Sequence, residues 1–266
     1  MDLRLGGKTA YVTGGAHGIG AGIVKELVIE GVRVVTSDVD KEALHAGVQE
    51  LRGLGPGVTP VVADLSSAAG IRDANQAVLE TLGGAPDFLV NNVGVAASLP
   101  FTEITDEHWQ KTFDLNFMSY VRTARELVPL MSERPGSAVV NIASDLAKQP
   151  EIIPVDYGAM KAAVLHFSKT LSLEFAPSVR TNAILPGPVW TGLWTKPGGL
   201  VDMFMDLYKT NDRDQAVREY LKDRQLTFGI SQPEDVAALV TFVLSPRAKQ
   251  INGAALDIGG TLRSLF

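Results

Sequence analysis

The sequence predicts one α/β domain built on a doubly wound parallel sheet of about seven strands, with helices on both faces. Three observations predict it. Short β-branched apolar runs alternate with longer segments of helical period, as in sheets buried on both faces and joined by right-handed crossovers. A glycine-rich turn joins the first such run to the first helical segment. The chain has 266 residues, 45% hydrophobic and 20% charged, enough for one large core.

Taken in order, the strand candidates are TAYVT (9–13), VRVVTSD (32–38), VTPVVAD (58–64), DFLVNN (87–92), SAVVNIAS (137–144) and VRTNAIL (179–185). AALD (254–257) adds one more near the end. Between them, IGAGIVKELVIE (19–30) and a long segment from about Asp106 to Met131 carry helical periodicity. The composition shifts at PGPVWTGLWTKPGG (186–199), where Pro, Gly and Trp break the period. That stretch reads as an ordered insertion at about 187–228, because a strand signal resumes after it. No repeat or low-complexity linker divides the chain, so residues 1–266 are read as a single domain. Sheets of this kind bind ligands at the carboxyl ends of the strands.

The bulk numbers also exclude. A net charge of −6 gives no reason to seek nucleic acid or an anionic membrane. The chain has no cysteine, which rules out disulfides, thiolate catalysis and zinc–thiolate sites. The four histidines, His17, His45, His108 and His166, show no paired spacing, so no metal is expected. No apolar run approaches the ~18 residues of a membrane span, and glycine interrupts the N-terminal stretch before a signal core could form. A soluble cytoplasmic protein is the expectation.

TGGAHGIG (13–20) lets the backbone turn tightly and approach a pyrophosphate, with a helix amino end just behind it. Gly14, Gly18, Ile19 and Gly20 are the candidate contacts; His17 either touches phosphate or is solvated. Asp38 ends the second strand near the ~20-residue spacing of an acid that bonds a ribose 2′-hydroxyl. A carboxylate there repels a 2′-phosphate, so the expected cofactor is NAD. GGKT (6–9) superficially matches a triphosphate loop, but Asp2 stands where that loop needs glycine.

In DYGAMK (156–161), Tyr157 and Lys161 lie four apart and so share a helix face. Pro154 suits the first turn, which places Tyr157 near the amino end. A phenol titrates near ~10, and an ammonium ~4 Å away at an effective dielectric of ~20 could lower that by two to three units. The expectation is a general acid/base with a depressed pKa. Ser144 ends the preceding strand, and Asn116 is a polar residue in an apolar helix.

At this point the sequence resembles the short-chain dehydrogenase/reductase family in its single Rossmann-domain form. The likeness rests on TGGAHGIG, Asp64-Leu65, NNVG (91–94), Asn116, Ser144, YGAMK (157–161) and PGPVWT (186–191). It implies that Tyr157 exchanges a proton with the substrate oxygen while Lys161 lowers its pKa and bonds the nicotinamide ribose. Ser144 would polarise the substrate, and Asn116 would hold a relay water. Asp64 and Leu65 would border the adenine, and Asn91 and Gly94 the middle of the cofactor. Val189 and Thr191, with Pro186 and Gly187 just before them, would meet the carboxamide. Val93 departs from the family's usual NNAG, and IGG (258–260) after Asp257 from its usual Asp-Gly-Gly.

Two readings concern the substrate. Trp190 and Trp194, with Met203, Phe204, Met205 and Tyr208, either form a lid over a mid-sized apolar molecule or pack the insertion on itself. Leu146 and Gln149, after Ser144, are expected to face the pocket. The helix 106–131 is apolar on more than one side, which with the resemblance points to a homotetramer, or a homodimer. The expected activity is NAD-dependent interconversion of a secondary alcohol and a ketone. Alternatives are a reductase of 3-oxoacyl thioesters or other ketones, and an NAD sensor without turnover.

Overall fold

A computed structural model describes residues 2–96, 99–151, 154–226 and 228–260. The strands are β1 (Thr9–Thr13), β2 (Arg33–Asp38), β3 (Val58–Val62), β4 (Phe88–Asn91), β5 (Ser137–Ile142), β6 (Val179–Pro186) and β7 (Ala255–Ile258). They form one seven-stranded sheet in the order β3-β2-β1-β4-β5-β6-β7, and every pairing is parallel. The order reverses between β1 and β4, which opens a crevice at their carboxyl ends.

The helices are α1 (Gly18–Ile29), α2 (Lys41–Glu50), α3 (Ala68–Leu82), α4 (Asp106–Phe113), α5 (Ser119–Met131) and α6 (Val155–Glu174). After β6 come α7 (Gly192–Thr195), α8 (Leu200–Leu207), α9 (Arg213–Asp223) and α10 (Pro233–Leu244). Alternation along the strands sorts the core into two layers. Ala10, Val12, Val34, Phe88 and Val90 face α1 and α10, packing with Ile23, Leu27, Val236 and Val240. Their neighbours Tyr11, Val35 and Leu89 point the other way, onto α3, α5 and α6 through Val78, Leu127 and Leu171. Residues that alternate yet are buried on both sides fit a sheet with helices on both faces.

One expectation needs amendment. The helix expected from Asp106 to Met131 is interrupted by a five-residue π segment, Asp114–Met118, between α4 and α5. Asn116 sits inside it. The bulge lets a polar side chain leave the apolar helix face, so the awkward residue marks the irregularity. The insertion after β6 carries α7, α8 and α9. Its stem is a parallel bridge between Val189 and Ser231, with Trp190 N–H donating to Ser231 O (2.8 Å) and Ser231 N–H to Pro188 O (3.1 Å).

Candidate active site

The turn after β1 has the shape of an anion cradle. Gly14 and Gly18 adopt φ +71° and +52°, a region that disfavours side chains. A Cβ on Gly20 would lie 1.9 Å from Gly14 O, so helix and turn touch backbone to backbone. A Cβ on Gly18 would meet Thr191 Cγ2 at 3.0 Å, which puts the start of the insertion over the turn. His17, at the amino end of α1, gives no side-chain cap, whereas Asp40 and Ser67 cap α2 and α3. The amino end of α1 is thus left open to an anion. Ile19 packs into the core beneath it.

Asp38 stands beside this cradle. Its Oδ2 accepts from Ala16 N–H in the glycine turn (3.0 Å), and its Oδ1 accepts from Asp40 N–H (3.1 Å). His17 is exposed and pairs with Asp40 at 2.9 Å, the solvated alternative. Asp64 Oδ1 accepts from Ser66 N–H (2.9 Å) and Oγ–H (2.7 Å), bonds that hold its carboxyl below the usual range. Leu65 is buried against Ile71 and Ala74, so only its backbone can meet a ligand.

Asn91, expected to border the cofactor, is the last residue of β4. Its side chain is completely buried and donates to Asn141 Oδ1 (2.8 Å), its register partner on β5. The next residue, Asn92, reaches the cradle instead: its Nδ2 donates to Thr13 O and to Gly14 O, each at 3.0 Å. Alternation in a strand turns adjacent side chains to opposite sides, so only one of the two asparagines could do this. Thr13 completes the tie, its Oγ1 accepting from the N–H groups of Asn92 and Val93. Val93 packs towards core residues, which absorb its extra bulk.

Deeper in the crevice, the expected catalytic residues converge. Asn116 Nδ2 donates to Val95 O and its Oδ1 accepts from Val95 N–H, both at 2.8 Å. Its side-chain amide therefore holds the chain after β4. A Cβ on Gly94 would lie 2.7 Å from Asn116 Oδ1 and 3.5 Å from Lys161 Nζ. Lys161 Nζ donates to Ile142 O (2.7 Å) and Tyr120 Oη (3.0 Å) and lies 5.5 Å from the centre of the Tyr157 ring. Ser144 follows β5 and donates to Asp145 Oδ1 (3.1 Å) while accepting from Leu146 N–H (3.2 Å).

The electrostatics reverse one expectation. Burial pushes the Tyr157 phenol up to about 12; the Asp145 carboxylate adds to this, and a hydrogen bond from Ser144 opposes it. Burial also drives Lys161 down to about 7. Desolvation disfavours the charged form of both groups and outweighs their proximity. The estimate from spacing assumed a fully charged ammonium at ~4 Å in a surface-like dielectric, and neither condition holds here.

Trp194, expected at the substrate, is 2% exposed and belongs to the insertion's own core with Val201, Phe204 and Ala216. Trp190 stacks on it at 5.5 Å between ring centres. Trp194 follows the packing alternative, whereas Trp190 keeps a partly exposed edge beside the glycine turn. What does lie beside Ser144 is polar: Asp145 and Gln149 are buried, and Arg224, at the end of α9, donates to Asp145 Oδ2 at 2.6 Å. Leu146 packs near Gly158 at the start of α6. Pro186 ends β6, and Gly187 N–H donates to Ile258 O (2.8 Å), with Gly259 too close to admit a side chain at 187. Val189 is buried in the stem and Thr191 begins α7. Arg224 carried no motif and was missed; an arginine at the end of an otherwise exposed polar helix gives no sequence signal. Among the described residues no cluster of histidine, cysteine or carboxylate could hold a metal, and no helix is long and apolar enough to cross a membrane.

Comparison with known proteins agrees with this geometry. Residues 8–198 match the short chain dehydrogenase family. The chain is 32% identical to the Bacillus subtilis oxidoreductase YvrD, with all of both chains covered. It is 33% identical to a D-threitol dehydrogenase of Mycolicibacterium smegmatis, covering 98% of this chain and 94% of that one. The crystal structure of L-sorbose reductase from Gluconobacter frateurii, complexed with NADPH and L-sorbose, is 32% identical with a TM-score of 0.91 over the whole of both chains. With a family match over most of its length and a shared fold throughout, the chain belongs to the short-chain dehydrogenase/reductase family of oxidoreductases.

Proposed function

We propose that the protein interconverts a secondary alcohol and a ketone, with Tyr157 exchanging the proton at the substrate oxygen. The observation that carries the reading is the convergence of Tyr157, Ser144 and Lys161 at the carboxyl end of β5, beside the glycine cradle. A nicotinamide dinucleotide bound along Gly14–Gly20, Asp38 and Asp64 would supply or receive the hydride. The open helix end and the side-chain-free turn suit its pyrophosphate. The carboxylate of Asp38 favours NAD, because it repels a 2′-phosphate.

A phenol held neutral is a ready acid, so reduction of a ketone is supported by the raised Tyr157. Oxidation needs the phenolate and should quicken as pH rises. The substrate is best read as small and hydroxylated. Trp194 and Phe204, two of the candidates for a lipophilic lid, are buried in the insertion's own core, buried charged groups flank Ser144, and the D-threitol and L-sorbose enzymes are similar over nearly the whole chain. Trp109, Phe113 and Phe117 are half-buried and Leu173 on α6 is 72% exposed, which supports assembly of identical subunits across these helices, as a tetramer.

The test is a panel of polyols, ketoses and apolar secondary alcohols offered with NAD and NADP, read by absorbance of the reduced nicotinamide. Turnover of polyols or ketoses with NAD is expected. Turnover confined to apolar alcohols would refute the substrate class, and Tyr157→Phe with undiminished turnover would refute the mechanism.

A further inference from the structure

An arginine joins the insertion to the catalytic turn. Arg224 ends α9, far along the chain from Ser144, yet its guanidinium is nearly fully buried. It pairs with Asp145 Oδ2 at 2.6 Å and with Glu151, both on the segment between β5 and α6. The insertion's pairs Arg213–Asp202, Arg218–Asp212 and Lys222–Glu219 stay within it. The other oxygen of Asp145 accepts from Ser144 Oγ at 3.1 Å. A serine hydroxyl has one proton and turns freely about its C–O bond, so Asp145 is a resting partner from which it can swing to the phenol or a substrate oxygen.

We propose that Arg224 is a positioning residue: it seats the insertion on the catalytic turn and holds the Asp145 carboxylate in place beside Ser144 and Tyr157. Ion pairs this deeply buried gain little stability over apolar packing of the same volume. What the pair provides is a defined place for a carboxylate whose field reaches the phenol. Without the guanidinium that field is unopposed. The proposal rests on Tyr157 being the acid/base, but its central test needs no substrate.

The groups facing Tyr157 are Lys161 on its own helix, Tyr120 on α5, and Ser144 and Asp145 on the turn. Those near Asp145 are Arg224 and Glu151, while Lys148 is drawn off to Asp257 at 2.7 Å. In the alkaline range where a tyrosine titrates, Asp145 is ionised with or without Arg224. Arg224→Met is therefore expected to move Tyr157 upward, and Asp145→Asn to move it downward, each by about one pH unit. In the Asp145→Asn background, Arg224→Met should move it by less, because the guanidinium then has no carboxylate to hold and only its own charge is lost.

The measurement is an ultraviolet difference titration of tyrosinate, each variant against the same variant carrying Tyr157→Phe. Arg224→Lys keeps a cation and is expected to hold most of the wild-type value, which covers the case in which Arg224→Met does not fold. A Tyr157 titration unmoved by Arg224→Met, or an Arg224→Met shift that persists undiminished without the carboxylate, overturns the proposal. Undiminished turnover in Tyr157→Phe would instead overturn the catalytic reading, whatever Arg224 does.

Discussion

Asn116 grips Val95 by both backbone groups, donating to its carbonyl and accepting from its N–H at 2.8 Å each. This is the pairing a neighbouring strand would make, supplied by one side chain from a helix bulge. Asn116→Ala leaves both groups of Val95 without these partners, at a cost of about 1–3 kcal/mol. The expected result is a lower thermal midpoint together with weaker dinucleotide binding, because Gly94 lies on the same tether. Calorimetry and a binding titration with NADH check it; a change in one without the other would separate the two roles.

Gly20 allows no side chain. A Cβ would sit 1.9 Å from the Gly14 carbonyl oxygen, and backbone cannot move aside as a flexible side chain can. Gly20→Ala should weaken NADH binding at least tenfold, about 1.4 kcal/mol or more. The sheet itself should stay intact by circular dichroism. Unchanged affinity would show that the cradle is not the cofactor's seat.

Lys161 makes stability depend on pH. Its folded pKa falls from 10.5 to about 7, so between those values the unfolded chain binds the extra proton. Stability should therefore rise as pH climbs from about 7 to 10.5, and the full burial penalty is present below 7. In Lys161→Met that rise should disappear from a series of denaturant melts, whatever the variant's absolute stability. Oxidation by the wild type should likewise grow with pH, following the phenol that burial holds neutral.

Asp38 is expected to set the dinucleotide preference. Asp38→Ser should lower the NAD-over-NADP ratio of kcat/KM by about tenfold or more, equal to ~1.4 kcal/mol of discrimination. Comparing both cofactors at one substrate concentration measures it. Part of any loss will come from the glycine turn, since Ala16 N–H donates to this carboxylate.

Leu173 lies 72% exposed on α6 and tests the assembly. Light scattering should give a tetramer for the wild type and smaller species for Leu173→Arg. A monomeric wild type would remove the proposal.

Much of this was legible in the sequence. The strands announced themselves because β-branched residues with alternating neighbours have few other homes, and the glycines because a turn so tight excludes side chains. The spacing of Tyr157 and Lys161 placed them on one helix face, as found. What spacing could not convey was solvent: burial decides the sign of both pKa shifts, and burial is a property of everything packed around the pair. Nor could it tell Asn91 from Asn92, whose roles differ by one step of strand alternation. The tryptophans left two readings open because an aromatic cluster looks the same whether it covers a ligand or itself.

The stem at Val189 and Ser231 means that the chain leaves the scaffold and returns to it at a single doorway. Helices α7 to α9 can thus be rebuilt without disturbing the register of any strand. The insertion becomes a replaceable cassette, provided that the new one still brings a guanidinium to Asp145.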